Sequence, residues 1–104
     1  MKWEYLSTLI DRNPRDSQPY IEVGSWFQRN GNLESAIRWL KEAPQWNTAN
    51  PVPLMTYARA LKQAGNLKEA KRQFQKVVDG KWAPGLLQYR AQAINELNSL
   101  NNVN

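Results

Sequence analysis

Apolar side chains recur along this chain with the period of a helix. Tyr20, Val23, Gly24 and Phe27 fall at i, i+3, i+4 and i+7, and Leu54, Tyr57, Ala58 and Leu61 repeat that spacing, so each set marks one face of one helix. A second pair of stripes follows, Leu33, Ala36, Ile37 and Leu40, then Leu67, Ala70 and Phe74 with Val77 and Val78. Nowhere does the period-two alternation of a half-buried strand replace it. The pattern predicts an all-α chain. Asn13-Pro14 closes a first helix of about residues 3–12, while Pro44, Pro51 and Pro53 bracket a loop before the third stripe. Asp79-Gly80 and Pro84 precede a last helix of about residues 85–100, giving about six helices and a short Asn-rich tail at 101–104.

Two of these junctions are copies of one another. Residues 30–40 read NGNLESAIRWL and residues 64–74 read AGNLKEAKRQF, 34 positions later. Gly31 and Gly65 suit the left-handed conformation that ends a helix, which a side chain with a Cβ adopts only at a cost. Asn32 and Asn66 then offer side-chain oxygens to the first free amides of the next helix. Glu69, three residues after Asn66, completes the pattern of a capping box, whereas the first copy has Ser35 there. Each unit therefore reads as helix, two-residue turn, helix. Small residues at Gly24 and Ala36, and at Ala58 and Ala70, would let the two backbones of each unit approach closely.

A 34-residue helix-turn-helix repeat with this frame resembles the tetratricopeptide repeat (TPR) family. The likeness covers 17–50 and 51–84 as two whole units, with Tyr20 or Leu54, Gly24 or Ala58, Phe27 or Leu61, then the Gly, the Ala, and Leu40 or Phe74. The proline that ends a unit is present as Pro14 but displaced later, to Pro51 and Pro84. The resemblance implies one domain over 1–104, a short right-handed α-solenoid of antiparallel helix pairs. Residues 1–14 would be an N-terminal half-unit, carrying Leu6, Leu9 and Ile10, and 85–100 a capping helix. In that last helix Leu87, Ala91 and Ile94 follow Leu54, Ala58 and Leu61 at a spacing of 33, so the frame slips by one and Gln88, Gln92 and Asn95 fall on the polar side.

In TPR proteins the first helices of successive units line a concave groove that holds a peptide. By that resemblance the groove residues here are Gln18, Ile21, Ser25, Gln28 and Arg29, then Val52, Met55, Arg59, Lys62 and Gln63. The last helix would add Tyr89 or Gln88, and Ala93 or Gln92, according to the slip. The family's carboxylate-gripping members carry Lys and Asn where this chain has Ile21 and Ser25, which argues against that sub-class. Apolar Ile21 and Met55 beside Arg29, Arg59 and Lys62 suit a partner segment with both apolar and acidic residues. Met55 and Arg59 lie off the core stripe, so substitutions there are expected to alter stability by no more than about 1 kcal/mol.

Composition narrows the chemistry. The chain has no Cys and no His, which removes thiolate nucleophiles, His-based triads, disulfides and nearly every zinc site, so neither metal nor cofactor is expected. Glu4, Asp11, Asp16, Glu22, Glu34, Glu42, Glu69, Asp79 and Glu96 form no recognisable catalytic motif, and there is no phosphate-binding or dinucleotide fingerprint, so no enzyme activity is expected. The net charge of +5 is as well explained by solubility as by an anionic partner. Lys68, Lys71, Arg72 and Lys76 make a basic stripe, which is either the solvated face of an amphipathic helix or a contact for phosphate or acidic protein. No aromatic platform interleaves with it, which argues against a single-stranded nucleic-acid binder. No apolar run approaches the roughly 20 residues that span a bilayer. The start resembles no signal peptide, so the cytoplasm is the expected compartment. Of five Trp residues, Trp3 and Trp82 sit near the two ends, Trp26 and Trp39 inside the first unit and Trp46 in the loop. Some suit the core, and Trp46 and Trp82, in Pro-containing connectors, are candidates for partner or dimer contact, with packing the favoured role. The expectation is a non-catalytic protein-interaction module, an adaptor or assembly chaperone. Its alternatives are a homodimerisation module built on exposed Trp and groove hydrophobes, and a basic helical repeat that binds nucleic acid.

Overall fold

A computed structural model describes residues 17–46 and 49–101. Among them are five α-helices: α1 (Ser17–Arg29), α2 (Leu33–Trp46), α3 (Val52–Gln63), α4 (Leu67–Asp79) and α5 (Leu87–Asn101). A single 3-10 turn, Pro84–Leu86, leads into α5, and no strand occurs among the described residues. The sixth expected helix, at 3–12, lies outside the described residues, as do Trp3, Leu6, Leu9, Ile10, Pro14 and the side chain of Trp46.

Both junctions close as the repeat predicts. Gly31 and Gly65 have φ of 80° and 86°. Asn32 N–H donates to the Phe27 carbonyl and Asn66 N–H to the Leu61 carbonyl, each at 2.9 Å, while Gly31 and Gly65 donate to Gln28 and Lys62. Paired bonds of this kind satisfy the carbonyls at a helix end. The Asn side chains then accept from Ser35 N–H at 3.1 Å and Glu69 N–H at 3.4 Å. The reciprocal half of the capping box does not form at Asn66. Its backbone N–H is already committed to Leu61, and the Glu69 carboxylate instead accepts from Gln73 Nε2 at 2.8 Å.

Prolines behave differently from the sequence expectation. Pro44 lies inside α2, which runs on to Trp46, and Pro53 lies in the first turn of α3. A proline in a first turn loses no helical hydrogen bond, because the N–H it lacks has no partner there. The loop is correspondingly shorter than the three prolines suggest.

The helices form two layers. The helices α1, α3 and α5 lie side by side, with α2 packed on α1 and α3, and α4 packed on α3 and α5. Leu40, Phe74, Met55, Leu61, Leu100, Val23 and Val77 are almost wholly buried, and Ala36, Ala58, Ala60, Ala70 and Ala93 are wholly buried with them. Met55 belongs to this core. At 1% exposure it is not the exposed groove residue its position off the stripe suggests. A single stripe suffices for a helix that packs on one partner, but α3 touches all four other helices and needs a wider apolar arc.

The register of α5 also differs. Leu87 and Ile94, expected inside, are 43% and 42% exposed, and Ala91 is exposed with them. Ala93 and Leu100 are buried instead, with Tyr89 and Leu97 packed against the same core. The stripe through Leu87, Ala91 and Ile94 runs into Asn98 and Asn101, whereas the other ends in Leu100 and places a small Ala at the crossing. The longer apolar stripe wins. Arg90 Nη2 then donates to the Gly80 carbonyl at 2.7 Å, and Trp82 Nε1 donates to the Val77 carbonyl, so both close the end of α4. Trp82 thus has a packing role, as do Tyr20 with Trp39 and Trp26 with Phe27, whose ring centroids lie 6.1 Å and 5.1 Å apart.

Gly24 marks a close approach of α1 and α2. A Cβ there would lie 2.5 Å from Leu40 Cγ and 3.3 Å from the Ala36 carbonyl oxygen, and Leu40 is itself wholly buried. Gly24→Ala is therefore expected to destabilise the protein by about 1–3 kcal/mol despite Ala's better helix propensity. Chemical denaturation checks this, and a gain in stability would show that α1 and α2 separate freely.

Candidate functional site

The expected groove face is crossed by a ladder of polar side chains. Gln28 Nε2 on α1 donates to Gln63 Oε1 on α3 at 2.8 Å. From α3, Arg59 Nη2 donates to Gln92 Oε1 of α5 at 3.0 Å, and Lys62 Nζ lies 3.3 Å from Glu96 Oε2. Four of the expected site residues, Gln28, Arg59, Lys62 and Gln63, are thereby brought into one line across α1, α3 and α5. Their partners on the last helix are Gln92 and Glu96. Tyr89 instead packs against the core and Ala93 is buried, whereas Gln92 is the neighbour that reaches Arg59.

The remaining expected residues are less concerted. Gln18 is exposed and donates to Glu22, one turn on, at 3.5 Å. Arg29 is exposed at the end of α1, while Ile21, Ser25 and Val52 are half-buried. The Val52 carbonyl accepts from Thr56 Oγ1 at 2.9 Å. Met55 faces inward and is not available to a partner.

Charge on this face is smaller than the count of cations suggests. The Lys62–Glu96 pair is part-exposed and contributes on the order of 0–1 kcal/mol to stability, but it cancels the Lys62 charge locally. Arg59 bonds a neutral amide and keeps its full charge. Glu96 was legible only as one carboxylate among nine. The signal that could have singled it out is its place 34 residues after Lys62, one repeat length, with the opposite sign.

A tetratricopeptide repeat model matches residues 27–80, just over half of the chain. The chain belongs to the tetratricopeptide repeat family. No curated protein matches this TPR chain in sequence. Solved structures do match it in fold. One is a T3SS complex from Aeromonas hydrophila, with 20% identity, a TM-score of 0.79, and coverage of 94% of this chain and 66% of that one. Another is PcrH in complex with the chaperone binding region of PopD, with 18% identity, a TM-score of 0.78, and coverage of 94% and 74%. A third is the Yersinia enterocolitica type III secretion translocator chaperone SycD, with 20% identity, a TM-score of 0.76, and coverage of 94% and 68%. The TPR chain thus spans about two thirds of the length of the first of these.

Among the described residues of this TPR chain, no His, Cys, Asp and Glu group is placed to hold a metal ion. No helix among them is long and apolar enough to cross a membrane.

Proposed function

We propose that this chain is a protein-interaction module of the chaperone or adaptor kind, holding a segment of a partner protein along the face of α1, α3 and α5. The observation that carries this reading is the polar ladder. It lines three successive helices with side chains that can exchange their mutual hydrogen bonds for bonds to a peptide backbone or to acidic side chains. In support, PcrH, a structure of the same fold, is in complex with the chaperone binding region of PopD. The reading treats 1–104 as one domain with units at 17–50 and 51–84, and it requires no chemistry of its own.

The partner segment carries acidic residues opposite Arg29 and Arg59, the cations of the groove face that no carboxylate pairs with among the described residues. Apolar residues of the segment would meet half-buried Ile21 and Val52 rather than Met55. Arg59 is the residue to change. Panning a peptide display library should select segments combining acidic and apolar residues. Arg59→Glu should weaken the selected peptides by about tenfold or more, and added salt should narrow the difference. The substitution is exposed, so folding should be nearly unchanged. Equal binding by wild type and Arg59→Glu would move the partner surface off this face.

A further inference from the structure

On the opposite layer, α2 and α4 do not pack against each other, and the gap between them is a cavity of about 460 Å³. Leu54 and Tyr57 of α3 line it, with Lys41 from α2 and Arg72 and Lys76 from α4 around them. The basic stripe of the sequence is therefore divided. Arg72 and Lys76 border the cavity with Lys41, whereas Lys68 is exposed elsewhere on α4.

The cavity is rich in unused donors. Glu69, the one carboxylate lining it among the described residues, already accepts from nearly buried Gln73 and lies 3.7 Å from Arg72 Nη1. Lys41 and Lys76 form no ion pair among the described residues. Burial, and secondarily the charge of Glu69, push the Tyr57 phenol above its ordinary range, so it keeps its proton. Three ammonium or guanidinium groups against one satisfied carboxylate favour an anionic occupant. Leu54 and Pro44 add apolar wall beside the charges, which suits an anion carried next to an apolar group. A carboxylate fits better than a phosphate dianion. Arg72, the planar fork best suited to phosphate, is already engaged by Glu69, which leaves the point charges of Lys41 and Lys76 for the occupant.

We propose that this cavity is a second protein-contact site, which takes a glutamate or aspartate side chain and the adjacent apolar residue of an acidic partner segment. It lies on the layer away from the polar ladder, so the chain could engage one segment on each face. The assignment does not rest on the groove reading.

The test is an NMR titration of the isotopically labelled full chain with an acetylated, amidated peptide alternating glutamate with leucine and phenylalanine. It is run on Arg59→Glu protein so that groove binding contributes little. The side-chain amides of Gln45 and Gln73 and the ring of Tyr57 should shift most. Lys41→Glu/Lys76→Glu should weaken the fitted affinity by about tenfold, the equivalent of 1.4 kcal/mol. The milder Lys41→Gln/Lys76→Gln pair should weaken it in the same direction, and a peptide with glutamine for glutamate should leave the cavity resonances unmoved. Shifts confined to Gln28, Gln63 and Gln92 would overturn this site while sustaining the groove. Unchanged affinity in both double variants, or no shift at all, would overturn it as well. Inorganic phosphate moving the same resonances at lower concentration than the peptide would replace a protein contact with a phosphate site.

Discussion

Met55→Glu is expected to unfold the protein rather than merely weaken a partner's grip. The Met55 side chain is 1% exposed, in a cluster with Leu61, Phe74 and Ala58. Truncating a buried methionine to alanine alone costs about 2–5 kcal/mol. A carboxylate in its place must in addition leave water with no buried cation among the described residues to meet it, a further several kcal/mol. The sum is comparable to the roughly 5–15 kcal/mol that holds a domain of this size together. Met55→Leu keeps volume and polarity and should cost less than about 1.5 kcal/mol. Circular dichroism against temperature separates these outcomes. A Met55→Glu protein that melts within a few degrees of wild type would mean that α3 exposes this face, and the groove would then regain an apolar anchor.

Deleting residues 85–104 is expected to cost several kcal/mol. The deletion removes Ala93 and Leu100 from the core, together with Tyr89 and Leu97 packed on it. Each large apolar side chain fully buried contributes about 1.5–3 kcal/mol, and the cut also exposes the side of α4 that α5 covers. The Arg90 bond to the Gly80 carbonyl is lost with it. Solenoids are stabilised by interfaces between neighbouring elements, so losing a terminal one falls mainly on the adjacent pair, α3 and α4. Hydrogen exchange should show the loss there first, with α1 and α2 less affected. A truncated chain as soluble and as heat-resistant as the whole would make α5 an appendage.

Helix type, turn position and pairing were legible because they are local. The spacing of Tyr20, Val23 and Phe27, the glycines at 31 and 65, and the Asn caps act within a few residues of one another. Their consequences are visible without knowing what lies across the molecule. The candidate site was legible in part. Arg59, Lys62 and Gln63 share one face of α3 by helical spacing, and the 34-residue repeat brings Gln28 of α1 beside them, one position from its repeat equivalent. Gln92 and Glu96 are less legible, since the frame of α5 carries two competing apolar stripes and no following helix among the described residues to choose between them.

The sequence by itself determined an all-α repeat with its turns at Gly31 and Gly65, since hydrogen-bond closure and helical periodicity are properties of neighbouring residues. Only the tertiary structure decided that Met55 is core, that α5 turns Ala93 and Leu100 inward and leaves Leu87 and Ile94 outside, and that Lys41, Arg72 and Lys76 border one cavity. Those outcomes depend on how many partners a helix has and on which of its stripes finds the better-filled contact. That is a comparison between packed alternatives, and no stretch of sequence contains it.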